Sequence, residues 1–444
     1  MRPAQLSSPA TAGIAPVVAA SLITGLVAAI GFIAIPFAGA RENVIAGVVL
    51  LAFAFGWAML LVLSVRLTDQ PQEWAAVPAG VFALLGGGLL VWPGAVDRDA
   101  VASAWPPVLL GLAIWMTLRA RRALRSRVRV WLLYPMFGLL AAAAVGGGYE
   151  TVREAVDRSA DRLPGVLVDV GGRQLHLHCI GTGSPTVILL PGYGESSASW
   201  GWIAPSVAPE TRVCAYDRAG RGGSDPAPSA QDGEALAADL RTLLERAHVA
   251  APYVLAGHSF GGLLALTFAA RYPEQVAGVV LLDATHPEMF TRVPAYPSFY
   301  EGFRRVSAVF PSLARLGVGR VAYRSSFDSL PPASRDEERA IWSTARQARS
   351  QRDEWAEAPR LMRQARSLRS LGDRPLIVVT AARDALDGWL PLQDELAALS
   401  TNSVHRVLPN ATHQSLTYSE RDAAASSRAI RDVVEAVRAA DTTR

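Results

Sequence analysis

The sequence predicts an α/β unit, a mostly parallel sheet with helices on both faces, preceded by a helical transmembrane region. Three observations carry this. Residues from about 12 to 149 are almost continuously apolar, whereas 150 to 444 read as a mixed globular sequence. Within the second part, short apolar runs alternate with helix-length segments, the rhythm of strands joined by helical crossovers. One such junction carries Gly257-His-Ser-Phe-Gly261, a serine pattern suited to a strand-to-helix turn.

At 444 residues the chain is too long for one ordinary compact domain, and two are expected, 1–149 and 150–444. Half of the residues are apolar. The chain contains no lysine, so arginine supplies all the side-chain positive charge, as a GC-rich coding sequence would produce. The net charge of +4 is modest, and the arginines form no aromatic-interleaved stripe, so nucleic acid is not an expected partner.

Five apolar spans are expected: Ile14 to Phe37, Val44 to Val65, Ala75 to Val96, Val101 to Leu118 and Val130 to Gly148. A helix needs roughly 20 apolar residues to cross the hydrocarbon core, which the first three meet. The fourth is short and holds Pro106 and Pro107, and the fifth holds Pro135 and Gly146 to Gly148, residues that membrane helices tolerate. Trp57, Trp74, Trp92, Trp105 and Trp131 mostly lie at or near span ends, as interfacial anchors do. Several consecutive spans argue against a cleaved signal peptide. Arg119, Arg121, Arg122, Arg125, Arg127 and Arg129 crowd the link between spans four and five, which places that link in the cytoplasm. Arg2 and Arg66 fall on the same side; Arg41, Arg98, Arg153, Arg158 and Arg162 fall on the other. The C-terminal domain is then extracytoplasmic, and it would be cytoplasmic if the fifth segment did not span.

In the soluble part, Arg173 to Ile180, Thr186 to Leu190, Arg212 to Tyr216, Tyr253 to Ala256, Val276 to Leu282, Leu376 to Thr380 and Val404 to Leu408 read as strands. Gly233 to Ala247 and Phe260 to Arg271 read as helices. From about Thr285 to Asp373 the rhythm breaks into an Arg-, Ser- and Pro-rich insertion of short helices, read as a lid over the active site.

The glycines of Gly257-His258-Ser259-Phe260-Gly261 make room for an abrupt strand-to-helix turn that exposes the serine. With Leu189-Leu-Pro-Gly-Tyr-Gly and Tyr216-Asp-Arg-Ala-Gly-Arg-Gly-Gly-Ser224, it stands in the order and spacing of the α/β-hydrolase family, which residues 165 to 440 resemble. The resemblance implies an eight-stranded, mostly parallel sheet with a helical lid. The chain departs from the family's frequent His-Gly with Pro191-Gly192, a histidine outside the triad. Asp217, Arg218, Gly220, Gly222 and Ser224 are accounted for by turn geometry and loop hydrogen bonding, with no catalytic assignment.

The resemblance implies Ser259 as nucleophile and an oxyanion hole from the backbone N–H groups of Tyr193 and Phe260. The order serine, acid, histidine points to His413, after the strand Val404 to Leu408, as the base. It points to Asp384, after the strand Leu376 to Thr380, as the acid. Asp387 is a nearby competitor, and Asp283, ending the strand before the lid, occupies a position that some relatives use. His258 and His286 are read as structural, and His176 and His178 as strand residues, since no Cys, Asp or Glu cluster completes a metal site. No metal and no cofactor are expected.

Serine at the elbow excludes the aspartate-nucleophile chemistries of the same fold and leaves acyl transfer through a serine ester. With water as acceptor the protein is an esterase or lipase, and attachment to a membrane favours lipid or other apolar acyl substrates. With an alcohol it is an acyltransferase; a non-catalytic hydrolase-like binding or signalling domain is the reading from another class. The expected partners are the lipid bilayer and a small-molecule or lipid ester, with no obligate protein partner evident. In the sheet order that the resemblance implies, the strands of Cys179 and Cys214 are antiparallel neighbours. In an oxidising compartment a Cys179–Cys214 disulfide is therefore expected, with Cα atoms roughly 4.4–6.8 Å apart.

Overall fold

The structure is a computed structural model that describes residues 13–34, 41–92, 99–125, 127, 129–160 and 164–442. The ends of the first and third expected spans, with Arg2, Arg98 and Arg162, lie outside the described residues. The chain divides into two compact units, Met1–Ala155 with Ala308–Val318, and Val156–Ser307 with Gly319–Arg444.

The first unit is built on α1 (Ile14–Ala34), α2 (Glu42–Leu67), α3 (Ala76–Val91), α4 (Asp99–Ala123) and α5 (Tyr134–Ala160). Among the described residues four helical segments are long and apolar enough to cross a membrane: Ile14–Ile33, Glu42–Leu67, Glu73–Val91 and Arg129–Asp157. The fourth expected span falls within α4, a continuous helix through Pro106 and Pro107 that is not one of these four. Small residues let the helices approach. A Cβ on Gly56 would stand 2.9 Å from the Ser21 carbonyl, and one on Gly86 would stand 2.7 Å from the Gly47 carbonyl. Part of the expected lid belongs here as well. Arg315, in that segment, pairs with the buried carboxylate of Glu42, and a Cβ on Gly146 would meet the Leu316 carbonyl at 2.3 Å. The insertion read as one lid is thus shared between units, decided by tertiary packing that its composition does not encode.

The second unit is an eight-stranded sheet of order β1-β2-β4-β3-β5-β6-β7-β8. Its strands are β1 (Val166–Asp169), β2 (Gln174–Ile180), β3 (Thr186–Leu190), β4 (Val213–Tyr216), β5 (Tyr253–His258), β6 (Val276–Leu282), β7 (Leu376–Ala381) and β8 (Ser403–Leu408). β1–β2 and β2–β4 are antiparallel and every other pairing is parallel. The helices in order are α6 (Ile203–Val207), α7 (Gly233–Arg246), α8 (Phe260–Arg271), α9 (Met289–Arg292), α10 (Tyr296–Ser307), α11 (Phe310–Arg315, in the first unit) and α12 (Val318–Ala322). They continue with α13 (Pro332–Trp342), α14 (Ala345–Ala365), α15 (Trp389–Ala397), α16 (Ser415–Tyr418) and α17 (Glu420–Thr442).

The central strands are apolar on both faces because helices cover both. Ile188, Leu190, Leu255, Val279, Leu281 and Val378 join one core with α7, α8 and α14. Their neighbours Val187, Leu189, Val254, Val280, Leu282 and Val379 join the other with α6 and α17. The period-2 alternation explains how one continuous apolar run feeds two cores. Burying each such side chain contributes about 1.5–3 kcal/mol. α7 starts on Asp232, whose carboxylate accepts from the Ala235 N–H, a conventional N-cap.

Cys179 and Cys214 are direct partners across β2 and β4 and form a disulfide. Direct opposition brings the Cα atoms to 4.0 Å, closer than the expected range. The bridge spans a sequence separation of 35, and closing such a loop stabilises by about 2–4 kcal/mol. The double variant Cys179→Ala/Cys214→Ala is therefore expected to lose about that much in urea unfolding of the detergent-solubilised chain. Wild-type protein, denatured without reductant, is expected to show no free thiol. Two thiols per chain and an unchanged unfolding midpoint would contradict the bridge.

Candidate active site

β5 ends at His258 and α8 begins at Phe260, so the chain turns on the single residue Ser259, at φ 53 and ψ −119. A β-carbon makes that region costly. The turn is held by backbone bonds: the Ser259 N–H donates to the Leu282 carbonyl at 3.1 Å, and its carbonyl accepts from Gly262 at 3.0 Å and Thr285 at 3.1 Å. The two flanking glycines are required by space. A Cβ on Gly257 would lie 2.5 Å from the Gly261 carbonyl oxygen, and one on Gly261 would lie 1.9 Å from that of Leu190.

His413 follows β8. Its Nδ1 donates to Asp283 Oδ2 at 2.6 Å, which leaves Nε2 as the free ring nitrogen. Asp283 is buried at the end of β6, and its other oxygen accepts from the Trp389 indole at 2.8 Å and the Ala381 N–H at 3.2 Å. The carboxylate expected at Asp384 is elsewhere: Asp384 is exposed, and its oxygen accepts from the backbone N–H of His413 at 3.3 Å, away from the ring. Parallel neighbours β6 and β7 both end at this edge, so either could supply an acid. The indole of Trp389 and the Ala381 N–H satisfy Asp283 and aim it at the imidazole, while Asp384 faces water. Asp387 is exposed too.

Tyr193 and Phe260 are the expected oxyanion-hole residues, and among the described residues no protein acceptor takes either backbone N–H. The loop before Tyr193 is gripped by Arg218, which donates to the carbonyls of Pro191 and Gly192 at 2.6 Å each. In a trans peptide the carbonyl and the next N–H point oppositely. Holding the Gly192 carbonyl therefore aims the Tyr193 N–H away from Arg218. Glu354 of α14 pairs with Arg218 at 2.7 Å and with Arg221. Burial pushes the Glu354 carboxyl up, but the two guanidiniums more than offset this and hold it low. Arg218, read from sequence as part of a turn motif, is thus a loop-positioning group; its signal was an arginine with no turn-forming role inside that motif.

His176 serves structure. Its Nδ1 donates to Asp217 at 2.8 Å and its Nε2 to the Pro164 carbonyl at 3.0 Å, which requires both ring protons. Burial pushes its pKa down, yet the Asp217 hydrogen bond and charge raise it overall. Among the described residues no group of three His, Cys, Asp or Glu side chains is placed to hold a metal ion. An aromatic cluster stands at the Tyr193 loop: Tyr193 packs on Trp355 (ring centroids 5.1 Å apart), Trp355 on Phe303 (4.9 Å) and Phe260 on Trp355 (6.0 Å, stacked).

A family model described as the alpha/beta hydrolase fold matches residues 185–417, just over half of the chain. The chain belongs to the α/β-hydrolase family. Among curated relatives, an uncharacterized protein of Schizosaccharomyces pombe is 28% identical over 285 residues, 56% of this chain and 52% of its own. Epoxide hydrolase 4 of Mus musculus is 29% identical over 191 residues, 37% of this chain and 52% of its own. The chain thus spans about half the length of these two relatives. Of solved structures, the Cif epoxide hydrolase from Acinetobacter nosocomialis superimposes with a TM-score of 0.53 at 15% identity. The match covers 65% of this chain and 96% of that one. A DBJA mutant gives a TM-score of 0.51 at 20% identity, covering 62% and 100%. These likenesses concern the fold.

Proposed function

We propose that this α/β-hydrolase is a serine esterase acting on lipid or other apolar acyl esters through Ser259, His413 and Asp283. The observation that carries the reading is the 2.6 Å contact of His413 Nδ1 with Asp283, in a chain whose Ser259 forms a strained strand-to-helix elbow. Asp283 fixes the tautomer that leaves Nε2 bare, and Nε2 takes the Ser259 proton as the oxygen attacks the acyl carbon. The negative oxygen that forms is stabilised by the Tyr193 and Phe260 N–H groups, worth roughly 3 kcal/mol each. His413 then protonates the leaving alkoxide, and water repeats the sequence on the acyl-enzyme. The relatives named as epoxide hydrolases share the fold; serine in place of an aspartate nucleophile supports acyl chemistry here. The aromatic cluster of Tyr193, Phe303 and Trp355 supports an apolar acyl group.

Kinetics test the assignment. Ser259→Ala and His413→Ala are each expected to remove nearly all ester turnover, and the double variant to be little worse than either. Asp283→Asn is expected to cost about 10⁴-fold through the wrong tautomer, while Asp384→Asn retains most activity. Normal turnover in Asp283→Asn together with collapse in Asp384→Asn would reverse the choice of acid.

The same reading places the catalytic unit outside the cytoplasm, anchored by the apolar helices. It is supported by the arginine cluster Arg119 to Arg129 and by the Cys179–Cys214 bridge, since disulfides persist in oxidising compartments. A reporter fused after Arg444 is expected to be active only outside the cytoplasm, and one inserted between Arg121 and Arg127 only inside. A cytoplasmic signal at the C-terminus would overturn the placement.

A further inference from the structure

His258, one residue before the nucleophile, is 1% exposed and has no part in the chemistry derived above. Its Nδ1 lies 3.1 and 3.2 Å from the two carboxylate oxygens of Glu195, and its Nε2 lies 3.0 Å from the backbone carbonyl oxygen of His413. A carbonyl and a carboxylate only accept, so both ring nitrogens donate and the ring is an imidazolium. Glu195 is buried as well, and one of its oxygens accepts the Gly192 N–H at 2.6 Å. Two loops of the site therefore meet in one buried ion pair.

We propose that Glu195 and His258 are positioning residues, a buried ion pair that fixes the oxyanion loop and the loop carrying the catalytic base relative to one another. The proposal rests on the Ser259–His413–Asp283 reading. At one end Glu195 holds the N–H of Gly192 while Arg218 holds its carbonyl, so the peptides on both sides of Gly192 are set before Tyr193 presents its N–H. At the other end His413 is held twice, its ring by Asp283 and its carbonyl by His258. The rings of His258 and His413 also lie 4.8 Å apart, tilted by 36°.

The surrounding charges suit an imidazolium. Burial pushes His258 down, but Glu195, with the His413 carbonyl and Asp283, raises it overall. Burial pushes Glu195 up, but His258, the Gly192 N–H and His413 hold it low. Glu338 of α13, which accepts from Ser196, is pushed up to about 8 by burial. It is therefore largely neutral at pH 7 and places no second full charge beside Glu195. Burial also holds the Tyr418 phenol protonated next to Glu195. When His258 loses a proton at high pH, either tautomer turns a bare nitrogen toward an oxygen, and one of the two loops is released.

The test is steady-state kinetics of full-length Glu195→Gln and His258→Gln in detergent from pH 5 to 10, with thermal melting and the rate of fluorophosphonate labelling at Ser259. Each substitution keeps a hydrogen-bonding group and removes the charge. The expected result is a fall in kcat of about 10- to 100-fold, the scale of a small misplacement of reacting groups. KM is expected to stay within about twofold, labelling to slow in step with kcat, and the alkaline decline of kcat in Glu195→Gln to begin at lower pH than in wild type. A purely structural role moves the melting temperature without that pH shift. Folded variants with wild-type kcat and an unmoved alkaline limb would overturn the proposal. If neither variant folds, the wild type decides: kcat must decline at alkaline pH before the protein unfolds, and a flat profile up to unfolding overturns it. Absence of labelling at Ser259 in the wild type itself would instead refute the serine reading on which the proposal rests.

Discussion

A residue with a β-carbon at φ 53 costs on the order of 1–3 kcal/mol, and Ser259 persists there because its surroundings leave no relaxed alternative. Its N–H and carbonyl are both engaged with β6 and the loop after it. Gly257 and Gly261 are packed so closely that no side chain fits at either. Cores on both faces of the sheet hold β5 and α8 in place. The rest of the site is arranged around this point. β6 ends beside it and delivers Asp283, β8 ends two strands further on and leads to His413, and the loop after β3 supplies Tyr193.

Buried charges organise the neighbourhood of the serine, and each is paired. Arg218 and Arg221 share Glu354, His258 meets Glu195, and His176 meets Asp217. An unpaired buried charge is strongly destabilising, whereas a paired one holds groups in register at little net gain in stability. Their common effect is on geometry: every pair also engages a loop backbone group, at Pro191, Gly192, His413, Pro164 or Ser197. Acyl transfer through a serine depends on such preorganised donors.

The sheet was legible because its strands are apolar runs bounded by turn residues, and seven of the eight could be read. β1 escaped: it is four residues long, Val166 and Leu167 are 56% and 55% exposed, and no core signal marks it. The Ser259 turn and the position of His413 were legible because each follows a readable strand at the expected edge. The carboxylate that meets His413 was not, because Asp283 and Asp384 both follow neighbouring parallel strands. What separates them is the Trp389 indole, 106 residues from Asp283 in sequence. His258 was read as structural, but its pairing with Glu195 escaped for a similar reason, since it joins residues 63 apart. The split of the lid insertion was hidden too, because it depends on Glu42 finding Arg315.

The most direct test of the account is where and how fast a fluorophosphonate attaches. Peptide mass mapping of the treated full-length protein is expected to place the adduct on Ser259, forming at wild-type rate in Asp384→Asn and orders of magnitude more slowly in Asp283→Asn. An adduct on another residue, or a Ser259 adduct that forms as fast in Asp283→Asn as in wild type, would contradict it.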